Sequence, residues 1–179
     1  MTTRRTCQIA ATIATVAALA PMAAHAQQAA GCPADNRLAA SVRSTLETSL
    51  PITSQQVSLL LQMFSLEAAK RPVPVAVVNG LRSRTTRNAR VLATGQRQLK
   101  ALPPGTPQGR AFKRVALRYL NEAVRPMNEC IGDAVEAKTV ASLGAAVRCF
   151  DTAKRKGAPL ERAMNSSLTQ LAKVRRCTL

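Results

Sequence analysis

Apolar residues recur every three or four positions through most of this chain, which is the period of an amphipathic helix. Leu38, Val42 and Leu46 draw the first stripe, beginning after Pro33. Leu50-Pro51 should end that helix, because the residue before a proline is pushed out of the helical region. Thr53 and Gln56 then have the spacing of a capping box that opens a second helix. Val57, Leu60, Leu61, Phe64 and Ala68 would form its buried face, and it should stop near Arg71, before Pro72 and Pro74. Val75 to Val78 has strand-like composition but no partner strand in the chain, so it reads as the start of a third helix with Pro74 in the first turn. Val78, Leu81, Thr85, Leu92 and Leu99 share its apolar face, and Asn79-Gly80 is its weak point.

Pro103 to Gly109 is a turn, and Thr106-Pro107 restarts the chain with Thr as N-cap and Pro at the first helical position. The helix that follows sets Phe112, Ala116, Tyr119, Ala123 and Met127 on one side and Arg110, Arg114, Arg118 and Arg125 on the other. Pro126 should end or kink it, with Gly132 as a natural stop. Asp133 to Glu136 reads as a further capping box, and Val140, Leu143, Val147 and Phe150 form the next stripe. Lys154, Arg155 and Lys156 would sit at that helix's C-terminal end, where positive charge suits the dipole, with Gly157 just past it. Pro159 opens a last helix striped by Leu160, Met164, Leu168, Leu171 and Val174. The expectation is an all-α, single-domain antiparallel bundle of about five to six helices joined by short turns.

The first 26 residues read differently. Arg4 and Arg5 precede a short apolar run from Ile9 to Ala20, and Ala24-His25-Ala26 is a small-x-small cleavage signal. This is the pattern of a secretory signal peptide cut after Ala26. The polar Cys7 and Gln8 fit the general export route better than the twin-arginine route. Ala29-Ala30-Gly31-Cys32 is only a faint lipoprotein box, lacking the usual Leu and lying well past the apolar run. The expected mature domain, residues 27–179, has 179 − 26 = 153 residues and a net charge of 24 − 9 = +15. That length can bury a real core. It holds no later apolar run long enough to span a bilayer. Export to the periplasm or beyond agrees with the cysteines: Cys32, Cys130, Cys149 and Cys177 remain, an even number. Of three possible pairings, Cys130–Cys149 would staple neighbouring helices and Cys32–Cys177 would tie the termini.

Charge adds the main functional clue. Between Glu67 and Glu122 there is no acidic residue, while the same interval carries nine Arg and three Lys. Arginine forms bidentate contacts with phosphate and carboxylate that lysine cannot. Arg82, Arg90, Arg97 and Lys100 cluster on one arc of the third expected helix, and Arg110, Arg114 and Arg118 on one arc of the fourth. The loop from Pro103 to Pro107 would fold these two helices back on each other. The residues thus point to an anion-binding surface for an anionic polymer, a membrane or lipopolysaccharide surface, nucleic acid, or an acidic protein. The bland alternative is a solvated basic face on a structural or interaction protein, and another is a periplasmic holdase-type chaperone.

The inventory argues against catalysis. The single His25 lies in the cleaved segment, so a Ser-His-Asp or Cys-His site is excluded from the mature domain. There is no CxxCH haem motif, no phosphate-binding glycine loop and no cysteine–histidine set for a metal; no cofactor is expected. The one carboxylate cluster, Glu129, Asp133 and Glu136, leaves a glycan hydrolase as a remote alternative. A chain with no Trp and one Tyr offers little for a sugar to stack on, and capping acids at a helix junction explain the cluster as well.

Overall fold

The computed structural model describes residues 32–137 and 139–174. These form four helical rods, and no strand occurs among the described residues. The first rod is α1 (Pro33–Ala68) and the second is α2 (Val75–Ala101). The third consists of α3 (Pro107–Tyr119), a π-helical segment (Leu120–Val124), α4 (Arg125–Asp133) and a closing 3-10 turn (Ala134–Glu136). The fourth is α5 (Val140–Ala172). Successive rods run antiparallel. Below, the head is the end where α1 begins and α2 finishes, and the foot is the opposite end.

Two apolar clusters fill the bundle. Toward the head, Leu38, Leu46, Leu92, Leu99, Phe112, Met164 and Leu171 pack together. Toward the foot, Leu60, Met63, Leu81, Ile131, Leu143 and Phe150 do the same. Between them lies a buried polar layer. Gln56 is fully buried, and its Nε2 donates to Asn128 Oδ1 and Thr85 Oγ1, both at 3.0 Å. Asn88 Nδ2 donates to Gln56 Oε1 at 3.2 Å and to Thr53 Oγ1 at 3.1 Å, while Ser49 Oγ donates to Asn88 Oδ1 at 2.7 Å. Asn128 Nδ2 reaches the Thr85 carbonyl at 3.3 Å. Such a layer is tolerable only when its donors find acceptors, and those of Gln56 and Asn88 do. It ties α1, α2 and α4 in one register.

The described residues make four rods, where the sequence expectation is five to six helices, because two prolines lie inside helices. Pro51 is within α1 and Pro159 within α5. Each removes one intrahelical donor, but both are exposed, so the carbonyls they free face water. Apolar contacts before and after each proline hold the rod together. Thr53 is therefore no N-cap: its hydroxyl donates to the Ser49 carbonyl at 3.0 Å, and Gln56 turns inward. Gly157 is not a helix end either. It faces Ala123, and a Cβ added there would lie 2.6 Å from the Ala123 side chain, so the glycine lets α5 approach the third rod. Lys154 to Lys156 consequently lie within α5.

Pro126 does not end its rod. The turn just ahead of it widens to π spacing, with Arg125 N–H donating to the Leu120 carbonyl. A wider turn removes the clash between a proline ring and the carbonyl four residues back. The second expected capping box is also displaced: Asp133 closes α4, and α5 is capped by Thr139 and Ser142, whose side chains and backbone N–H groups bond reciprocally.

Thr106 caps α3 as its sequence suggests, with Oγ1 accepting from Gly109 N–H at 2.9 Å. Its own hydroxyl donates to the buried Asp35 at 2.5 Å, and Asp35 also accepts from Gly105 N–H at 2.8 Å. A Cβ at residue 109 would fall on the Asp35 carboxylate, so this clasp requires glycine there. Toward the foot, Cys130 and Cys149 form a disulfide between α4 and α5 with Cα atoms 5.5 Å apart. The expected Cys32–Cys177 bond involves Cys177, which lies outside the described residues, as does the expected signal segment.

Candidate anion-binding surface

The basic residues acquire positions from the seam between α2 and the third rod. On α2 the buried residues Leu81, Asn88, Leu92, Gly95 and Leu99 form one face. Arg90 and Arg97 project from the opposite side at the helical period. Arg82 touches the third rod directly, its Nη2 lying 3.1 Å from Glu136 Oε1. Lys100 stands about five turns beyond Arg82 on the same side, so it borders the same seam near the head. On α3, Phe112, Ala116 and Tyr119 are buried and Arg110, Arg114 and Arg118 are exposed. Lys113 faces α2, its Nζ donating to the carbonyls of Lys100 at 2.7 Å and Leu102 at 2.6 Å. It thereby caps the C-terminal end of α2, where a cation suits both the open carbonyls and the dipole.

All seven sequence-predicted residues are exposed, but they are not equivalent. Arg82 is paired with Glu136. Arg118 pairs with Glu122 at 3.1 Å, one helical turn on, and Arg125 pairs with Glu129 at 2.7 Å in the same way. The hydrogen bond from Arg118, with its charge, holds the Glu122 carboxyl below the usual range, and Glu122 in turn raises the Arg118 guanidinium. Arg90, Arg97, Lys100, Arg110 and Arg114 have no acidic partner among the described residues. Arg97 donates only to Thr94 Oγ1, at 3.3 Å.

Two basic residues of the acid-free interval turn out to have local tasks. Lys113 is the cap just described. Arg84 donates to Gln55 Oε1 at 3.0 Å and to the Gly80 carbonyl at 3.2 Å, bracing the α1–α2 contact. Neither role has a sequence signature, since each depends on which carbonyl a neighbouring rod presents. In the carboxylate cluster Glu129 is paired with Arg125 and Glu136 with Arg82, and all three acids are exposed.

The aromatic residues complete the picture. The chain has three Phe, one Tyr and no Trp. Phe112, Phe150 and Tyr119 are buried and Phe64 is half-buried against the foot cluster, so none is an exposed platform. Burial, and then the charge of Glu161, push the Tyr119 hydroxyl well above its ordinary pKa. Glu161 is itself raised by desolvation, partly offset by Lys154 and Arg162. The exposed large hydrophobics among the described residues are Val75, 72 % exposed, and Val140, 39 % exposed, both at the foot. None of the helices described is long and apolar enough to cross a membrane. Compared with known proteins, the chain matches no family model, no curated protein and no solved structure.

Proposed function

We propose that this protein is an exported, non-enzymatic helical bundle that binds an anionic partner through the head half of the α2–α3 seam. One observation carries the reading: Arg90, Arg97, Lys100, Arg110 and Arg114 are exposed along two neighbouring rods and form no ion pair among the described residues, whereas Arg82, Arg118 and Arg125 each form one. Like charges held together on a rigid surface repel, and an arriving anion relieves that repulsion. The engagement of Glu129 and Glu136 in ion pairs weighs against glycan hydrolysis. The position of Val75 and Val140 at the foot weighs against capture of apolar clients beside the basic seam.

Export through a signal segment cut after Ala26 belongs to the same reading, as does a Cys32–Cys177 bond. Leu38, near the start of α1, and Leu171, near the end of α5, share the head cluster, so the two termini of the bundle meet at that end. N-terminal sequencing of the secreted chain should begin at Gln27, and non-reducing peptide mapping should recover both disulfides. The binding test is a panel of duplex DNA, lipopolysaccharide, anionic vesicles and an acidic unfolded protein, each at low and high salt. At least one should bind at low salt. Replacing Arg90, Arg97, Arg110 and Arg114 by Gln should abolish that binding without changing the circular dichroism. If the variant binds as wild type does, the basic seam is only a solvated face.

A further inference from the structure

The kind of anion follows from what surrounds the five cations. Arg90 and Arg97 stand opposite the buried face of α2 and Arg110 and Arg114 opposite that of α3, with Lys100 beside the seam, so the five form two rows on the outer side of neighbouring rods. Arg90, Arg97 and Lys100 lie along α2, and Arg110 and Arg114 along α3. The rise of a helix sets Arg90 and Arg97 roughly 10 Å apart along one row and Arg110 and Arg114 about 6 Å apart along the other. Packed helix axes are about 8–10 Å apart, so both rows lie within reach of one strand of phosphates. Among the described residues no large apolar side chain is exposed at the head to enter a bilayer, so a planar layer of headgroups would lack the apolar anchor that strengthens interfacial binding.

The aromatic census removes a second class. Binders of single strands stack successive bases on exposed aromatic rings, each worth about 1–3 kcal/mol. Every aromatic residue of this chain is wholly or partly buried. A partner whose bases are already stacked on each other, and whose phosphates lie outermost, loses nothing by that lack. Arginine's fork suits such phosphates, and four of the five cations are arginine.

Resting on the anion-binding reading above, we propose that the head half of the α2–α3 seam holds the phosphodiester ridge of a nucleic-acid duplex, by charge and without reading bases. Counterion release makes this quantitative. With five phosphates neutralised, the logarithm of the binding constant should fall against the logarithm of salt concentration with a slope of about −4.5 for duplex DNA. Each doubling of salt then weakens binding roughly twentyfold.

The test uses the secreted chain with two 30-base-pair DNA duplexes of unrelated sequence, a single strand of the same length and anionic vesicles. The two duplexes should bind alike and more tightly than the single strand, with the stated slope. Arg97→Gln with Arg110→Gln should lower the slope to about −2.7, while circular dichroism shows the fold kept. A single strand that outcompetes the duplex overturns the proposal, as does a marked preference between the two sequences. If vesicles bind and the duplexes do not, this inference falls while the broader reading stands. If neither binds even at low salt, or the double variant keeps the wild-type slope, this inference falls, and the broader reading falls with it only if lipopolysaccharide and the acidic protein also fail to bind through the seam.

Discussion

The seam between α2 and the third rod is built differently at its two ends. Toward the foot it is closed and neutral. Asn128 bonds Thr85 and Gln56 there, the Thr85 methyl group faces Gly132 closely enough to crowd an added Cβ, and Arg82 meets Glu136 across the surface. Toward the head, the seam is crossed by Lys113, which serves the open carbonyls of α2, and Arg97, Lys100, Arg110 and Arg114 around it form no ion pair among the described residues. A single pair of rods thus shows what a basic helix surface looks like when its charge is balanced and when it is not. The difference teaches that counting Arg and Lys is a poor guide to a binding surface. The informative quantity is which of the unpaired cations lie together on neighbouring rods.

The closed end is the easier to break. Replacing Cys130 and Cys149 by Ala removes a bond that closes a loop between residues 19 apart in sequence, and should cost about 3 kcal/mol in urea unfolding. Gln56→Leu should cost about 2–3 kcal/mol, because it leaves Asn88 and Asn128 with unmet hydrogen bonds in a dry interior. A neutral result would mean that water reaches the layer. The balance at the foot can also be undone without touching the core. Glu136→Gln frees Arg82 and should extend the unpaired row by one cation, steepening the salt dependence of duplex binding by about one unit. Because the Arg82–Glu136 pair is exposed, stability should hardly change.

The smallest effect tests the half-buried acid Glu161 on α5. Burial raises its pKa in the folded protein, so folding favours its protonated form. That contribution is complete below the carboxyl's unfolded pKa and is lost as pH rises through the higher folded value. Glu161→Gln should therefore raise the melting temperature slightly at neutral pH and leave it unchanged near pH 3. An equal shift at both pH values would contradict the assigned cause.

Much of the scaffold was legible in the residue pattern. The apolar stripes place Leu38, Leu92, Phe112 and Met164 in the core, Thr106-Pro107 opens α3, and the Cys130–Cys149 staple joins neighbouring helices. What failed was local punctuation read without its neighbours. Pro51, Pro159 and Gly157 each look like helix ends, yet flanking apolar contacts carry the two prolines and a close rod-to-rod approach accounts for the glycine. Thr53 and Gln56 have the spacing of a cap, but the same residues can build a buried layer once Asn88 and Asn128 arrive from other rods. For the surface, the acid-free interval singled out α2 and α3. It could not separate Arg82 and Arg118 from Arg97 and Arg110, because the acids that pair with the first two lie beyond the interval, at Glu136 and Glu122.

The separation between paired and unpaired cations can be measured directly. Two triple variants remove the same net charge: Arg97, Arg110 and Arg114 to Gln at the unpaired row, or Arg82, Arg118 and Arg125 to Gln at the paired positions. Their affinities for a 30-base-pair duplex should be measured side by side at one low salt concentration, after circular dichroism has shown both folded. The first variant should lose binding by more than a hundredfold and the second should stay within a few fold of wild type. Equal losses in the two would contradict this expectation, and would mean that only the total charge of the molecule matters.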